Sequence, residues 1–316
     1  MKRIFINLGL FIIIMFPPLY LLQYMVTVGL RNTYFTRGCM NDIYNGKAAC
    51  DVLIMGASNA KFQYSPKILD SELHLNNYNI GISGWPFHMQ YALFKIYQQH
   101  NKKPTYIVQN INGMLLNYQD EFYEAEQFMP YARDTIVQKF TSHLKGAFTV
   151  PELYFPMFIY NNHFEFVMQG IKSYFHIGPA SQPPTYKGYI PHLEEWDNTF
   201  DEFKKQHPAG IRFSYSDTVL KEFVSFLNDC KAQDIKVIFV YAPIYKEETK
   251  MVINHNDMCR LYDSIAHAYS IPVIDYNNDA ISYEKTNFFN SQHLNIKGSE
   301  AFSKKLGNDL QQYIKP

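Results

Sequence analysis

Ser58 follows Gly56-Ala57 at the end of the apolar run Asp51–Met55, and far along the chain Asn290-Ser-Gln-His293 stands just before the last helical pattern. A serine hydroxyl is a weak nucleophile until a base takes its proton, and a neutral imidazole suits that task. Together they attack an ester carbonyl and hold the acyl group on the serine oxygen until water or another hydroxyl takes it. Gly56 permits a tight turn at the strand end that leaves the hydroxyl exposed. A structural alternative stands beside each residue: Ser58 as the cap of the next helix, and His293 as a loop histidine with its hydrogen bonds satisfied. The other ten histidines sit in no matching context.

The oxyanion created by that attack needs donors already in place. Candidates are the backbone N–H groups of Ser58 and Gly84 and the side-chain amide of Asn112; loss of one such donor typically costs about 2.7–4 kcal/mol of transition-state stabilisation. Gly84 also reads as a plain turn glycine, and Asn112 as an Asx-turn closing a strand. Asn110 competes with Asn112 for the role. Asn290 is the third member beside Ser58 and His293. An aspartate there would fix the imidazole tautomer and stabilise the imidazolium, whereas an amide oxygen accepts the ring N–H without bringing charge. A flipped amide would favour the wrong tautomer, and in serine proteases an equivalent Asp→Asn change lowers turnover about 10⁴-fold. Three outcomes follow: a Ser–His dyad, a carboxylate borrowed from Asp275 or Asp279, or lost catalysis.

These residues need a scaffold that brings distant segments together. Strands are expected at Asp51–Met55, Tyr78–Ile80, Tyr106–Ile111, Lys236–Tyr241 and Pro272–Tyr276. Helices are expected over 65–73, 90–99, 217–233, 258–269 and 297–313. Strands alternating with helices predict an α/β fold with a mainly parallel sheet and helices on both faces. The alternation stops over 118–212, too long for a plain connection. Helical spacing recurs there at 135–145 and 164–174, followed by a Pro/Tyr-rich part, 179–191. The aromatic side chains of this insertion either pack it onto the sheet domain or form a lid or groove for sugar rings or a partner protein.

Ile4 to Leu30 carries no charged residue and follows Lys2-Arg3. A helix of that length reaches about 40 Å, enough to cross a bilayer with tilt. The absence of a small-x-small cleavage signal favours an uncleaved anchor over a signal peptide. The expected organisation is therefore an anchor, 1–32, and one domain, 33–316, carrying the insertion 118–212. Lys and Arg together number 29, equal to Asp and Glu, and are scattered, which argues against a nucleic-acid groove. The four cysteines form no Cys-x-x-Cys pair and no His-Glu-x-x-His run exists, so neither a metal nor an organic cofactor is called for. Cys39 and Cys50 are close enough in sequence to bridge in an exported chain, or to remain two thiols.

The order of these blocks resembles the SGNH, or GDSL-type, hydrolase superfamily. Gly56-Ala57-Ser58 matches its first block, Asn79-Ile-Gly-Ile-Ser-Gly84 its second, Asn112 its third and Asn290-Ser-Gln-His293 its fourth, with asparagine in place of the family's aspartate. The match covers about 50–117 and 214–314. The resemblance implies a three-layer, flavodoxin-like sheet, Ser58 and His293 as nucleophile and base, and Ser58, Gly84 and Asn112 around the oxyanion. Membrane-tethered relatives in alginate O-acetylation and teichoic-acid D-alanylation look similar in layout. They imply an esterase or O-acyltransferase outside the cytoplasm, periplasmic or at the cell surface. It would act on acylated glycan or an acyl donor, with a membrane acyl-donor protein as a possible partner. The rival functions are a non-catalytic module binding acylated glycan or an envelope partner, and a structural component of an envelope assembly.

Overall fold

The computed structural model describes residues 2–33, 38–178 and 186–315. Residues 179–185 of the Pro/Tyr-rich stretch lie outside them. In chain order the helices are α1 (Lys2–Leu30), α2 (Gly38–Tyr44), α3 (Ser58–Gln63), α4 (Pro66–Leu73), α5 (Phe87–His100), α6 (Thr135–Thr141), α7 (Val150–Tyr154), α8 (Phe164–Tyr174), α9 (Thr199–Gln206), α10 (Asp217–Ala232), α11 (Lys246–Met251), α12 (His255–Tyr269) and α13 (Ile296–Leu310). The strands are β1 (Val52–Met55), β2 (Asn77–Asn79), β3 (Tyr106–Asn110), β4 (Lys236–Tyr241), β5 (Val273–Asp275), β6 (Phe288–Asn290) and β7 (His293–Leu294).

Strands β1 to β5 form one parallel sheet in the order β2-β1-β3-β4-β5, the flavodoxin-like order of a doubly wound fold. Both faces are covered, which is why the strands read as continuous apolar runs rather than as alternating ones. Val52, Ile54, Val108, Ile238 and Val240 belong to one buried cluster with Leu69 of α4 and Phe302 and Leu306 of α13. From the opposite face Phe239 stacks on Phe223 of α10, and Phe223 and Phe226 pack on Phe87 of α5. The α/β sandwich expected from the sequence is thus present.

The chain divides into two compact units, Met1–Asn41 with Asp120–Pro183, and Asp42–Gln119 with Pro184–Pro316. The stretch 118–212 is therefore divided between the two. Its first part joins α1, and its last part, with His192 and α9, joins the sheet. In the first unit Val26 and Leu30 of α1 share a buried cluster with Met129, Leu153, Ile159 and Tyr160. Cys50 is a buried thiol whose Sγ lies 3.5 Å from Tyr97 Oη.

Two close approaches fix the ends of the second unit. A methyl group on Gly56 would lie 2.7 Å from Ala60 Cβ and 2.8 Å from Asn110 Cβ, so β1 turns into α3 only with glycine there. A methyl group on Gly298 would come within 2.1 Å of Asn287 O and 2.9 Å of Leu294 Cδ2. Gly298 lets the start of α13 rest against the β6–β7 hairpin. Gly298→Ala should lower stability by about 1–3 kcal/mol, the usual cost of overpacking, read as a lower denaturant midpoint with an unchanged slope.

Candidate active site

Helix α3 begins at Ser58 itself. Ala57 occupies the capping position and no side chain caps the helix, so the hydroxyl is not spent on the role its sequence context also allowed. The first helical hydrogen bond runs from Lys61 N–H to Ala57 O, and the Ser58 N–H precedes it, in the turn whose amides have no partner within the helix. Ser58 is partly exposed.

The hairpin β6–β7 carries the other half. Asn290 and His293 are paired across it, and His293 Nε2 lies 2.8 Å from Ser58 Oγ. Asn290 Oδ1 is 3.1 Å from His293 Nδ1 and also accepts the backbone N–H groups of Gln292 at 3.0 Å and His293 at 2.9 Å. Those two backbone groups can only donate. They fix the amide with its oxygen inward, because a flipped NH₂ would face two donors. The ring proton therefore sits on Nδ1, and Nε2 offers its lone pair to the serine. The tautomer that an aspartate would enforce is enforced here by a neutral amide and two peptide groups.

Charge is a different matter. The pKa of His293 is pushed down to about 4, chiefly by burial, further by the neighbouring His192 imidazole, and opposed by Asp197. The two carboxylates considered from the sequence do not reach the ring. Asp275 accepts the Asn277 N–H at 2.7 Å, and Asp279 caps Ile281 and pairs with Lys305. The base is thus neutral at ordinary pH and correctly oriented, but weak.

The loop bearing His293 is pinned to α3. Asn59 Nδ2 and Gln63 Nε2, one turn apart, both donate to Gln292 O at 2.7 and 3.0 Å. Phe62, one turn after Ser58, meets the His293 ring edge-on with centroids 5.6 Å apart. On the far side Gln292 Nε2 donates to the buried Glu248 at 3.0 Å.

The expected oxyanion donors are placed less uniformly. Asn112 Oδ1 accepts Met114 N–H, which is the Asx-turn arrangement, while its Nδ2 donates to Asn59 Oδ1 at 3.3 Å and keeps a second N–H. Asn110 is buried and accepts the Tyr64 hydroxyl at 2.7 Å, so it is a core residue. Gly84 lies in an exposed turn with φ 74°, just beyond the Ile82 N–H bond to Gly56 O. A cleft of about 680 Å³, counting its open mouth, lies at the carboxyl ends of β3 and β4 and is lined by Asn59, Asn112, Phe213, Tyr241 and Gln292 among others. Ser58 and His293 do not line it; their chain neighbours do.

His192 carried no signal in the sequence. Its ring stacks on Phe289 with centroids 4.4 Å apart, lies 4.3 Å from that of Phe62, and is 6.1 Å from that of His293. Its carbonyl accepts the Ile296 N–H, so the chain around 192 forms one wall beside the dyad.

No protein-family model matches the chain, and no curated protein matches it. Among solved structures, it is similar to a "putative acylhydrolase" from Bacteroides fragilis at 14% identity and TM-score 0.37, covering 82% of this chain and 86% of that one. It is also similar to a "putative platelet activating factor" from Streptococcus pneumonia at 10% identity and TM-score 0.40, covering 96% and 99%. Likeness at this level carries no argument about activity; the strand order β2-β1-β3-β4-β5 by itself makes the fold doubly wound.

Because His293 takes a proton only when neutral, and its pKa of about 4 lies below the ordinary 6.5, reaction of Ser58 with an acylating or phosphonylating probe should rise through pH 4 and be level above about pH 6. Asn290→Asp adds a negative charge beside Nδ1, so it should move the inflection upward and speed labelling. The gain should stay below the about 10⁴-fold seen where the tautomer is also wrong. An inflection near pH 7 in the native chain would refute the depressed imidazole.

Proposed function

We propose that the chain is a serine-dependent acyl-transfer enzyme, an esterase or O-acyltransferase of SGNH type. The observation that carries this reading is the 2.8 Å contact between Ser58 Oγ and the Nε2 of an imidazole whose Nδ1 is held by Asn290. In the reaction His293 takes the Ser58 proton while Oγ bonds to the acyl carbon. The imidazolium then returns that proton to the departing alkoxide, leaving an acyl–serine. Water or a sugar hydroxyl, deprotonated by the same ring, attacks next and releases Ser58. The Ser58 and Gly84 N–H groups and the second N–H of Asn112 are the proposed partners of the transient oxyanion.

Helix α1 is long and apolar enough to cross a membrane. Arg31, Arg37 and Lys47 after the helix offset Lys2 and Arg3 before it; on this reading the rest of the chain lies outside the cytoplasm, periplasmic or at the cell surface, acting on acylated glycan. A membrane acyl-donor protein is the proposed partner for transfer. A second reading has support in the missing counter-charge: with asparagine at 290 and a weak base, the same cleft would serve a non-catalytic module that binds acylated glycan or an envelope partner.

Treatment of the full-length, detergent-solubilised chain with a fluorophosphonate should add one adduct mass at Ser58, and Ser58→Ala should abolish it. Labelling absent from both the native chain and Asn290→Asp would exclude the enzyme and leave the binding module. Labelling unaffected by Ser58→Ala would place the nucleophile elsewhere.

A further inference from the structure

The first unit exposes a set of large apolar side chains outside α1: Val150 and Tyr154 on α7, Phe155 and Phe158 after it, and Phe164, Met168 and Phe175 on or beside α8. Their placement is ordered. At about 100° per residue, Phe164, Met168 and Phe175 fall within about 40° of one another on α8. Beside that stripe lies the side turned to α1, where Phe166 and Val167 join the α1 cluster and a methyl on Gly29 would lie 1.8 Å from Gly170 O. Exposed Glu165 and Lys172 lie on the other flank. Such backbone-to-backbone contact through small residues is the packing that membrane helices favour.

The same apolar surface continues along α1. The Phe155 ring meets Phe16 edge-on, Tyr20 Oη donates to Tyr154 O at 2.7 Å, and Gln23 Oε1 accepts the Met157 N–H at 2.6 Å. From Phe16 to Gly29 is about 20 Å of helix, so α7 and α8 accompany α1 over much of the length it would need to span a bilayer. Exposed Phe, Tyr and Met side chains grouped in this way are unfavourable on a water-facing surface, and their aromatic content with a charged flank matches a helix lying at a lipid boundary.

We infer that α7, α8 and the segment between them form a collar that enters the lipid boundary around α1, with the acyl-chain and headgroup region of a bilayer as its occupant. This rests on α1 entering the membrane and is independent of the chemistry at Ser58. The occupant is lipid rather than a protein because the patch is continuous with a helix already apolar enough to span.

The test uses the full-length chain in vesicles of phosphatidylcholine and phosphatidylglycerol, with single Phe155→Trp, Phe164→Trp, Glu165→Trp and Leu10→Trp variants read above the background of Trp85 and Trp196. Lipids brominated on the acyl chains should quench the 155 and 164 positions at least about twofold more than position 165, as expected for a face buried at the boundary. Aqueous iodide should show the reverse order. If position 10 is quenched by brominated lipid and positions 155 and 164 are not, the collar is refuted while the anchor stands. If none is quenched, both fail. Positions 155 and 164 shielded from iodide and from brominated lipid alike would refute the collar in favour of a protein partner.

Discussion

The site depends on one carbonyl. Gln292 O accepts two side-chain amides from a single face of α3, and through it the loop that carries His293 is held on the helix that begins with Ser58. Net, each such bond contributes about 0.5–1.5 kcal/mol, but a buried partner left unpaired costs about 1–3 kcal/mol. The clamp therefore resists slippage more strongly than its bond count suggests. Asn59 and Gln63 hold the backbone while Ser58 and Phe62, on the adjacent row, address the ring. A six-residue helix works as a jig with two rows of contacts, and Gly56 is what allows that jig to sit tight against β3.

Orientation and charge, which an aspartate supplies together, are separated here. Asn290 gives orientation in full, because two peptide N–H groups leave its amide no second way to point. It gives no charge, and burial beside another imidazole pushes the base down to about 4. A weaker base transfers the serine proton less readily, yet a neutral ring is present over the whole physiological range.

Much of this was legible in the residues. The five sheet strands and the long helices of the sheet unit announce themselves through runs and spacing, and Ser58, Asn290 and His293 through their place at strand ends and loops. The short pieces were not. Helix α3 and the β6–β7 hairpin are each under two periods long, too short for a pattern to register. Those pieces hold Gln63, Phe62 and the Gln292 carbonyl. His192 was hidden for another reason: its partners are ring faces from Phe62 and Phe289, contacts that leave no spacing in the chain. Asp275 and Asp279 looked available because sequence separation says nothing of the Asn277 N–H and Lys305 that already occupy them.

The two ends of the amino-terminal helix differ in burial. Ile4, Phe11 and Ile13 are exposed, whereas Val26 and Leu30 are fully buried in the core of the first unit. Asn41 extends that core with polar contacts, donating to Leu30 O and Thr33 O while accepting the Tyr131 hydroxyl. Arg31 in turn donates to Pro130 O, so the end of the helix is fastened to 130–131 by hydrogen bonds as well as by packing. Removing residues 1–32 would strip Leu22, Val26 and Leu30 from the cluster that also holds Leu153, Ile159 and Tyr160. One helix thus runs from an exposed apolar end into a folded core, and the first unit's opening segment extends past it to Asn41.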